Sequence, residues 1–330
     1  MTGKDVPQTI GVLIASYHRA PELARCLQGL AEQTRAPDDV IVVLREDDEE
    51  TRQAVLRFPA NVLKLRMVTV SQPGLIHARI AGCQACRTDV LAMTDDDAVP
   101  YPDWLERILR HFQADPSVGG VGGRDRCHDG EAFDDRKAEP VGKLQWFGRV
   151  IGNHHLGYGA AREVDTLKGA NMSYRAKVFS RVKFDGRLRG SGSQPSEDLS
   201  FSTAVRHAGW KLIYDPAVLV DHYLGRRDEV RHYGGVMALK DAEGFRNFAF
   251  NEVMALWDKL PPARRLAFFL WSILVGTGVC PGLVQAIRFT PRLGRMSWHR
   301  FFVAQQGKLL AFRQLVAQAS HNPERYSAQA

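Results

Sequence analysis

Cysteine is sparse in this 330-residue chain, and its five copies, Cys26, Cys83, Cys86, Cys127 and Cys280, fall at irregular intervals. An odd, irregular set argues against a disulfide framework and for a reducing compartment. Cys83 and Cys86 form one C-x-x-C inside a helical pattern. With no second pair at zinc spacing, they read as small core residues. No signal peptide is expected at the start, since residues 1–8 are polar and the first apolar run is a short strand. The composition, 45% hydrophobic and 25% charged, excludes a disordered chain. The last third is poor in acids. Residues 231–330 hold 13 Lys+Arg against 5 Asp+Glu, whereas residues 1–230 hold 31 against 32. The formal charge of +7 therefore belongs to the C-terminal third, which also contains the longest apolar run. That pairing points to an anionic membrane surface and away from nucleic acid.

What is present begins as an alternation of strands and helices. The apolar run 10–15 predicts a buried parallel strand, followed by the turn Ser16-Tyr17-His18-Arg19. Pro21 opens a helix with Leu23, Cys26, Leu27 and Leu30 on one face. Strands at 40–44, 63–70 and 90–94 follow, each with a helix behind it; the last helix starts at Pro102-Asp103 and turns Trp104, Leu105, Ile108, Leu109 and Phe112 inward. Four such repeats predict a layered α/β domain with a mostly parallel sheet. Beyond them the pattern loosens. Residues 118–123 read as a Gly-rich strand edge and 124–142 as a polar loop. His154 and His155 sit among glycines, either to contact a ligand or to fill a loop. Residues 186–196 are rich in Gly, Ser and Pro and are expected to be mobile. A helix follows from Glu197-Asp198, then two short strands, 213–216 and 218–220, ending at Asp221-His222.

The stretch that concentrates chemistry is the end of the fourth strand, where an apolar run stops at Asp95-Asp96-Asp97. Three adjacent carboxylates repel one another unless something positive offsets them, and hard oxygen ligands suit Mg²⁺ or Mn²⁺. Ligands of open α/β sheets bind beyond the carboxyl ends of strands, which is where this cluster falls. The same stretch also reads as a solvated acidic turn between a strand and a helix.

Six segments in order resemble the inverting glycosyltransferase family 2 with its GT-A fold. They are 14–19 (Ile-Ala-Ser-Tyr-His-Arg), 74–79 (Gly-Leu-Ile-His-Ala-Arg), Asp95-Asp96-Asp97 with Pro102-Asp103-Trp104-Leu105, Gly169-Ala170-Asn171-Met172, Ser196-Glu197-Asp198, and Asp215-Pro216 with His222. Each is weak alone; together they cover about the first two thirds of the chain. The resemblance implies a Rossmann-like, mostly parallel sheet flanked by helices and a nucleotide-sugar donor. It implies Ser16, Tyr17, Arg19, Arg79, Asp95 and Asp96 on the donor, Asp97 with His222 on a divalent metal (Mg²⁺ or Mn²⁺), and Gly169, Ala170, Asn171 and Glu197 toward the acceptor. Asp198 is implied as general base for a glycan or lipid-linked hydroxyl. One segment departs from the family pattern: paired aspartates before Gly-Ser are replaced by Arg45-Glu46-Asp47-Asp48. The base is read as UDP, with GDP or dTDP open. Two rivals remain at this stage: a haloacid-dehalogenase-like phosphatase using Asp95 and Asp97, and a non-catalytic membrane-bound scaffold.

The expected organisation is a catalytic domain at 1–230 (nucleotide-binding half 1–123, acceptor half 124–230) and a basic, apolar helical membrane-associating region at 231–330. Within the latter, 266–287 runs 22 residues without a charge but has Gly276, Gly278, Pro281 and Gly282 near its middle. It reads as re-entrant or interfacial, as a single span, or as a buried core helix, with the protein expected at the cytoplasmic face of the plasma (inner) membrane.

Overall fold

The computed structural model describes residues 6–128, 130–224 and 242–321, with side chains to 318. The boundary expected at 230/231 lies outside the described residues. Strand and helix alternate as β1 (Ile10–Ser16), α1 (Ala20–Ala31), β2 (Asp39–Arg45), α2 (Glu49–Arg57), β3 (Leu65–Val70), α3 (Leu75–Ala85), β4 (Val90–Asp95), β5 (Ala98–Pro100) and α4 (Trp104–Ala114). There follow β6 (Val118–His128), the two-residue strands β7 (Lys143–Leu144) and β8 (Val150–Ile151), β9 (Arg162–Val164), β10 (Met172–Arg175), α5 (Ala176–Arg181), α6 (Glu197–His207) and β11 (Lys211–Tyr223). The described chain ends in four helices, α7 (Ala242–Trp257), α8 (Pro262–Leu274), α9 (Leu283–Leu293) and α10 (Arg295–His321).

The chain divides into two compact units. The first takes Met1–Lys143, Ile151–Phe184 and the residues from Phe201 through β11; the second takes Leu144–Val150, Asp185–Ser200 and the C-terminal helices.

The first unit is built on a nine-stranded sheet in the order β3-β2-β1-β4-β10-β6-β11-β5, with β9 also on β11. Pairs among β3, β2, β1 and β4 are parallel, as the alternation of strands and helices requires; β10 is antiparallel to both neighbours. β1, β2 and β4 are buried on both faces, which is why they read as continuous apolar runs. α1 and α4 bury the predicted stripes, Leu23, Cys26, Leu27 and Leu30 on one and Trp104, Leu105, Ile108, Leu109 and Phe112 on the other.

Three local expectations are corrected. Residues 118–123 are not a sheet edge: β6 lies inside the sheet between β10 and β11. It also continues to His128, through the first part of the segment read as a loop. The two short strands read at 213–220 are one strand, β11, with a register break between Asp215 and Leu219. Gly123 explains the break. A Cβ there would lie 1.7 Å from the carbonyl oxygen of Val218, so the two backbones meet where no side chain fits.

In the second unit, the run 266–287 is not one helix. α8 stops at Leu274, and a tight turn closes through Thr277 N to Cys280 O (3.0 Å) and Gly282 N to Val275 O (3.0 Å) before α9 begins. Gly276 has φ 66°, the left-handed conformation that glycine adopts freely. No described helix is long and apolar enough to cross a membrane, so the single-span reading does not hold for these residues.

Candidate active site

The site forms where the carboxyl ends of β1 and β4 lie side by side, with Ala15 opposite Asp95 in the register. This puts the turn after β1 against the three aspartates. Ser16 Oγ donates to Asp96 Oδ2 at 2.8 Å, and Arg19 Nη1 donates to Asp96 Oδ1 at 3.0 Å and to Asp97 Oδ2 at 2.8 Å. Asp96 and Asp97 are buried. Burial pushes the Asp96 carboxyl up to about 6 even though Arg19 pulls it down, and the neighbouring Asp97 adds to the rise. Arg79, also buried, reaches Asp95 at 3.8 Å and Met93 Sδ at 3.3 Å.

β11 brings in the histidine. Its end is paired with β5 on one side and β6 on the other, with His222 opposite both Ala98 and Cys127. His222 Nε2 lies 3.0 Å from Asp97 Oδ1, and Nδ1 lies 3.5 Å from Asp125 Oδ2. Burial alone would hold this imidazole neutral, but Asp125 and Asp97 outweigh it and raise its pKa well above the ordinary value. The Asp125 carboxyl is in turn held low: burial would raise it, but Lys168 and His222 more than reverse that.

This environment attracts positive charge, and the donor set fits a hard divalent cation. Ligand atoms of Asp95, Asp97 and His222 lie within 4.8 Å of one another, as do those of Asp125, Cys127 and His222. The first trio suits Mg²⁺ or Mn²⁺ better, because it offers two carboxylates and Asp95 is partly open, whereas Asp125 is buried against Lys168.

The family profile described as Glycosyltransferase like family 2 matches residues 7–234. The chain belongs to that family. It is 31% identical over 237 residues to a pre-mycofactocin glycosyltransferase of Mycobacterium tuberculosis, covering 67% of this chain and 45% of that protein. It is 23% identical over 222 residues to a glucosyl-dolichyl phosphate glucuronosyltransferase of Haloferax volcanii, covering 65% and 69%. Among solved structures, a mannosyltransferase of Pyrobaculum calidifontis in complex with GDP-Man and Mn²⁺ aligns with TM-score 0.55 at 18% identity over 97% of this chain and 82% of that one. S. aureus TarS in complex with UDP-GlcNAc aligns with TM-score 0.55 at 15% identity over 96% and 92%. The fold is therefore the GT-A transferase fold, and the phosphatase and scaffold readings fall away.

The glycosyltransferase's other predicted residues occupy defined places. Tyr17 is exposed; the Arg45 guanidinium lies 4.8 Å from its ring, and its hydroxyl reaches Asp47 Oδ2 at 3.5 Å. Asp48, from the departing segment, is buried as the N-cap of α2, accepting from Thr51 N at 3.1 Å and from His18 N at 2.6 Å. Asn171 is buried, and its amide ties three elements: Oδ1 accepts from Trp104 Nε1 (2.9 Å), and Nδ2 donates to Arg124 O (3.1 Å) and Val218 O (2.8 Å). Its side chain braces the segment, while Gly169 beside it is partly open and Ala170 is buried. His154 fills a loop, buried with Nε2 against Thr166 O at 2.8 Å.

Glu197 and Asp198 start α6, in the stretch that belongs to the second unit. Glu197 is buried; Asp198 is partly exposed, with Oδ1 accepting from Leu199 N at 2.7 Å. Ser196 just before them has φ 67°, Ala170 has φ 67° and His18 has φ 53°. Non-glycine residues in this region of backbone space store strain, and such strain gathers at functional segments. The stretch expected to be mobile is pinned within its own unit. Asn251 of α7 is completely buried; it accepts from Arg189 N (2.8 Å) and donates to Arg189 O (2.9 Å) and Pro195 O (2.9 Å).

Sequence reading missed Asp125, Lys168 and Asn251. The first lay in a segment taken for a loop, and the last is one polar residue in an aromatic helix; no local pattern marks either.

Proposed function

We propose that this glycosyltransferase moves a sugar from a UDP-sugar to a hydroxyl of a glycan or lipid-linked acceptor, inverting the anomeric centre. The observation that carries the reading is the buried cluster at the ends of β1, β4 and β11, where Asp95, Asp97 and His222 offer ligand atoms beside Arg19. In this reading Asp97 and His222 hold Mg²⁺ or Mn²⁺; when bound, the cation neutralises charge that builds on the departing diphosphate. Mn²⁺ in the P. calidifontis mannosyltransferase supports this, and the dolichyl phosphate in the name of the H. volcanii relative supports a lipid-linked acceptor. Ser16, Tyr17, Arg19, Arg79, Asp95 and Asp96 position the donor. Gly169, Ala170, Asn171 and Glu197 shape the acceptor side, Asn171 by bracing the backbone. Asp198 takes the acceptor's hydroxyl proton as oxygen bonds to the anomeric carbon and the bond to the diphosphate breaks. Its support is its place in the Ser196-Glu197-Asp198 segment, after a strained backbone and with its carboxylate partly open.

The test is Asp198→Asn. Transfer falls by about 10²–10⁴-fold, the range for loss of a general base, while Mn²⁺-dependent nucleotide binding, read by thermal shift across UDP-, GDP- and dTDP-sugars, stays as in the wild type. Loss of binding along with turnover would remove Asp198 from the role of base.

A further inference from the structure

The C-terminal helices carry a surface that glycosyl transfer does not use. α8 buries Phe268 and Ser272 and exposes Leu266 (60%), Leu270 (47%) and Leu274 (49%). These leucines recur every four residues, so they form one stripe along the helix. α9 repeats the arrangement: Ala286 is buried, while Leu283 (39%), Val284 (51%) and Ile287 (56%) are exposed. One turn and two turns beyond Val284 on the same side come Arg288 and Arg292, both exposed. The turn at 275–282 joins the two stripes in a hairpin.

Charge decides what covers them. Between Asp258 and Glu324 the sequence has no Asp or Glu and nine Lys+Arg. Two of these cations are buried and brace the helices from within: Lys308 Nζ donates to Ser272 O, and Arg300 Nη2 donates to Gly278 O at 2.8 Å. Arg288, Arg292, Arg295 and Arg313 are exposed. A second copy of this chain would bring the same cations to the face, so like charges would meet; a lipid surface answers both the charge and the apolar stripes, with phosphate headgroups over an apolar layer. Since no described helix is long and apolar enough to cross a membrane, the contact lies in the plane of the surface.

The geometry points to the α8–α9 hairpin as an interfacial docking element for an anionic bilayer. Leu266, Leu270, Leu274, Leu283, Val284 and Ile287 enter the boundary between headgroups and acyl chains, and the exposed arginines pair with lipid phosphates. This goes beyond the transfer reaction and does not depend on it.

The full chain is mixed with vesicles of phosphatidylcholine alone and of phosphatidylcholine with phosphatidylglycerol, and partitioning is read by flotation. Wild type floats with the anionic vesicles, and the binding weakens with salt. The double variant Leu270→Glu/Ile287→Glu loses about tenfold or more of its partitioning, since binding scales with buried apolar area, while nucleotide thermal shifts with Mn²⁺ are unchanged. Arg288→Gln/Arg292→Gln loses the preference for anionic vesicles. If the glutamate pair does not fold by circular dichroism, Leu270→Ser/Ile287→Ser gives the same reading with a smaller loss. Wild-type partitioning by the folded leucine variants overturns the proposal. So does a wild type that ignores vesicles and forms a dimer, by light scattering, which the leucine variants break.

Discussion

In the sheet unit, charges are buried in company: Asp96, Asp97 and Asp125 share one region with Arg19, His222 and Lys168. In the helical unit, buried polar side chains are mostly turned to the backbone, Asn251 to Arg189 and Pro195, Lys308 to Ser272, Arg300 to Gly278. The difference separates the candidate ion site from the bracing of a backbone path. A side chain that satisfies a backbone group removes a desolvation cost and fixes a chain path. A buried cluster of paired charges adds such a cost, and apolar replacements often stabilise a fold more. It is kept where its field is used. The helical unit also buries the carboxylates of Glu197 and Glu252, the latter pushed upward by burial while Lys308 pulls it down.

The contrast breaks most visibly at Asp125. Asp125→Asn, which keeps shape and loses charge, weakens Mn²⁺ binding in the presence of UDP by about 10–100-fold, the usual effect of removing a carboxylate behind a histidine ligand. Isothermal titration reads it; an unchanged affinity would make Asp125 a structural residue like those of the helical unit. Next comes Asn251→Ala. It leaves backbone groups of Arg189 and Pro195 without their side-chain partner, at a cost of about 1–3 kcal/mol, and hydrogen exchange speeds up at 189–195. A variant with native exchange in that stretch would show that the loop is held by other means. The smallest effect is a pH dependence. Burial would raise the Asp185 carboxyl, but its bonds with Arg187 more than offset this and leave it below the ordinary value. A carboxyl lowered in the folded state stabilises above its unfolded value, about 4, and that contribution is lost as pH falls through the folded value. Asp185→Asn therefore lowers the melting temperature at pH 7 and flattens its acid limb, so that variant and wild type converge well below pH 4; a limb as steep as wild type would assign acid sensitivity to the sheet unit's carboxylates alone.

The parts legible in sequence are those whose signal is local. Strands β1, β2 and β4 announce themselves as unbroken apolar runs, and α1 and α4 as stripes of buried side chains. Asp95, Asp96 and Asp97 stand out because three acids end an apolar strand. β6 was harder, since its glycines make room for Trp210, Tyr174 and Leu212, and small residues chosen for a neighbour's bulk resemble a loop. β11 was split by Asp215-Pro216, which looks like a turn and is a register break. Asp125 and His222 meet only through the pairing of β6 with β11, a contact between distant segments that periodicity does not report.

The close approach at Gly123 also bears on anyone wishing to reshape the candidate ion site of this enzyme. Because β6 and β11 touch backbone to backbone there, the register that sets Asp125 and Cys127 against His222 is locked from below. Exchanging side chains at 95, 97 or 222 alters which donor atoms the candidate site offers. Widening or narrowing the gap between the two strands requires rebuilding this crossing point first, so the candidate site is open to changes in donor chemistry and closed to changes in spacing.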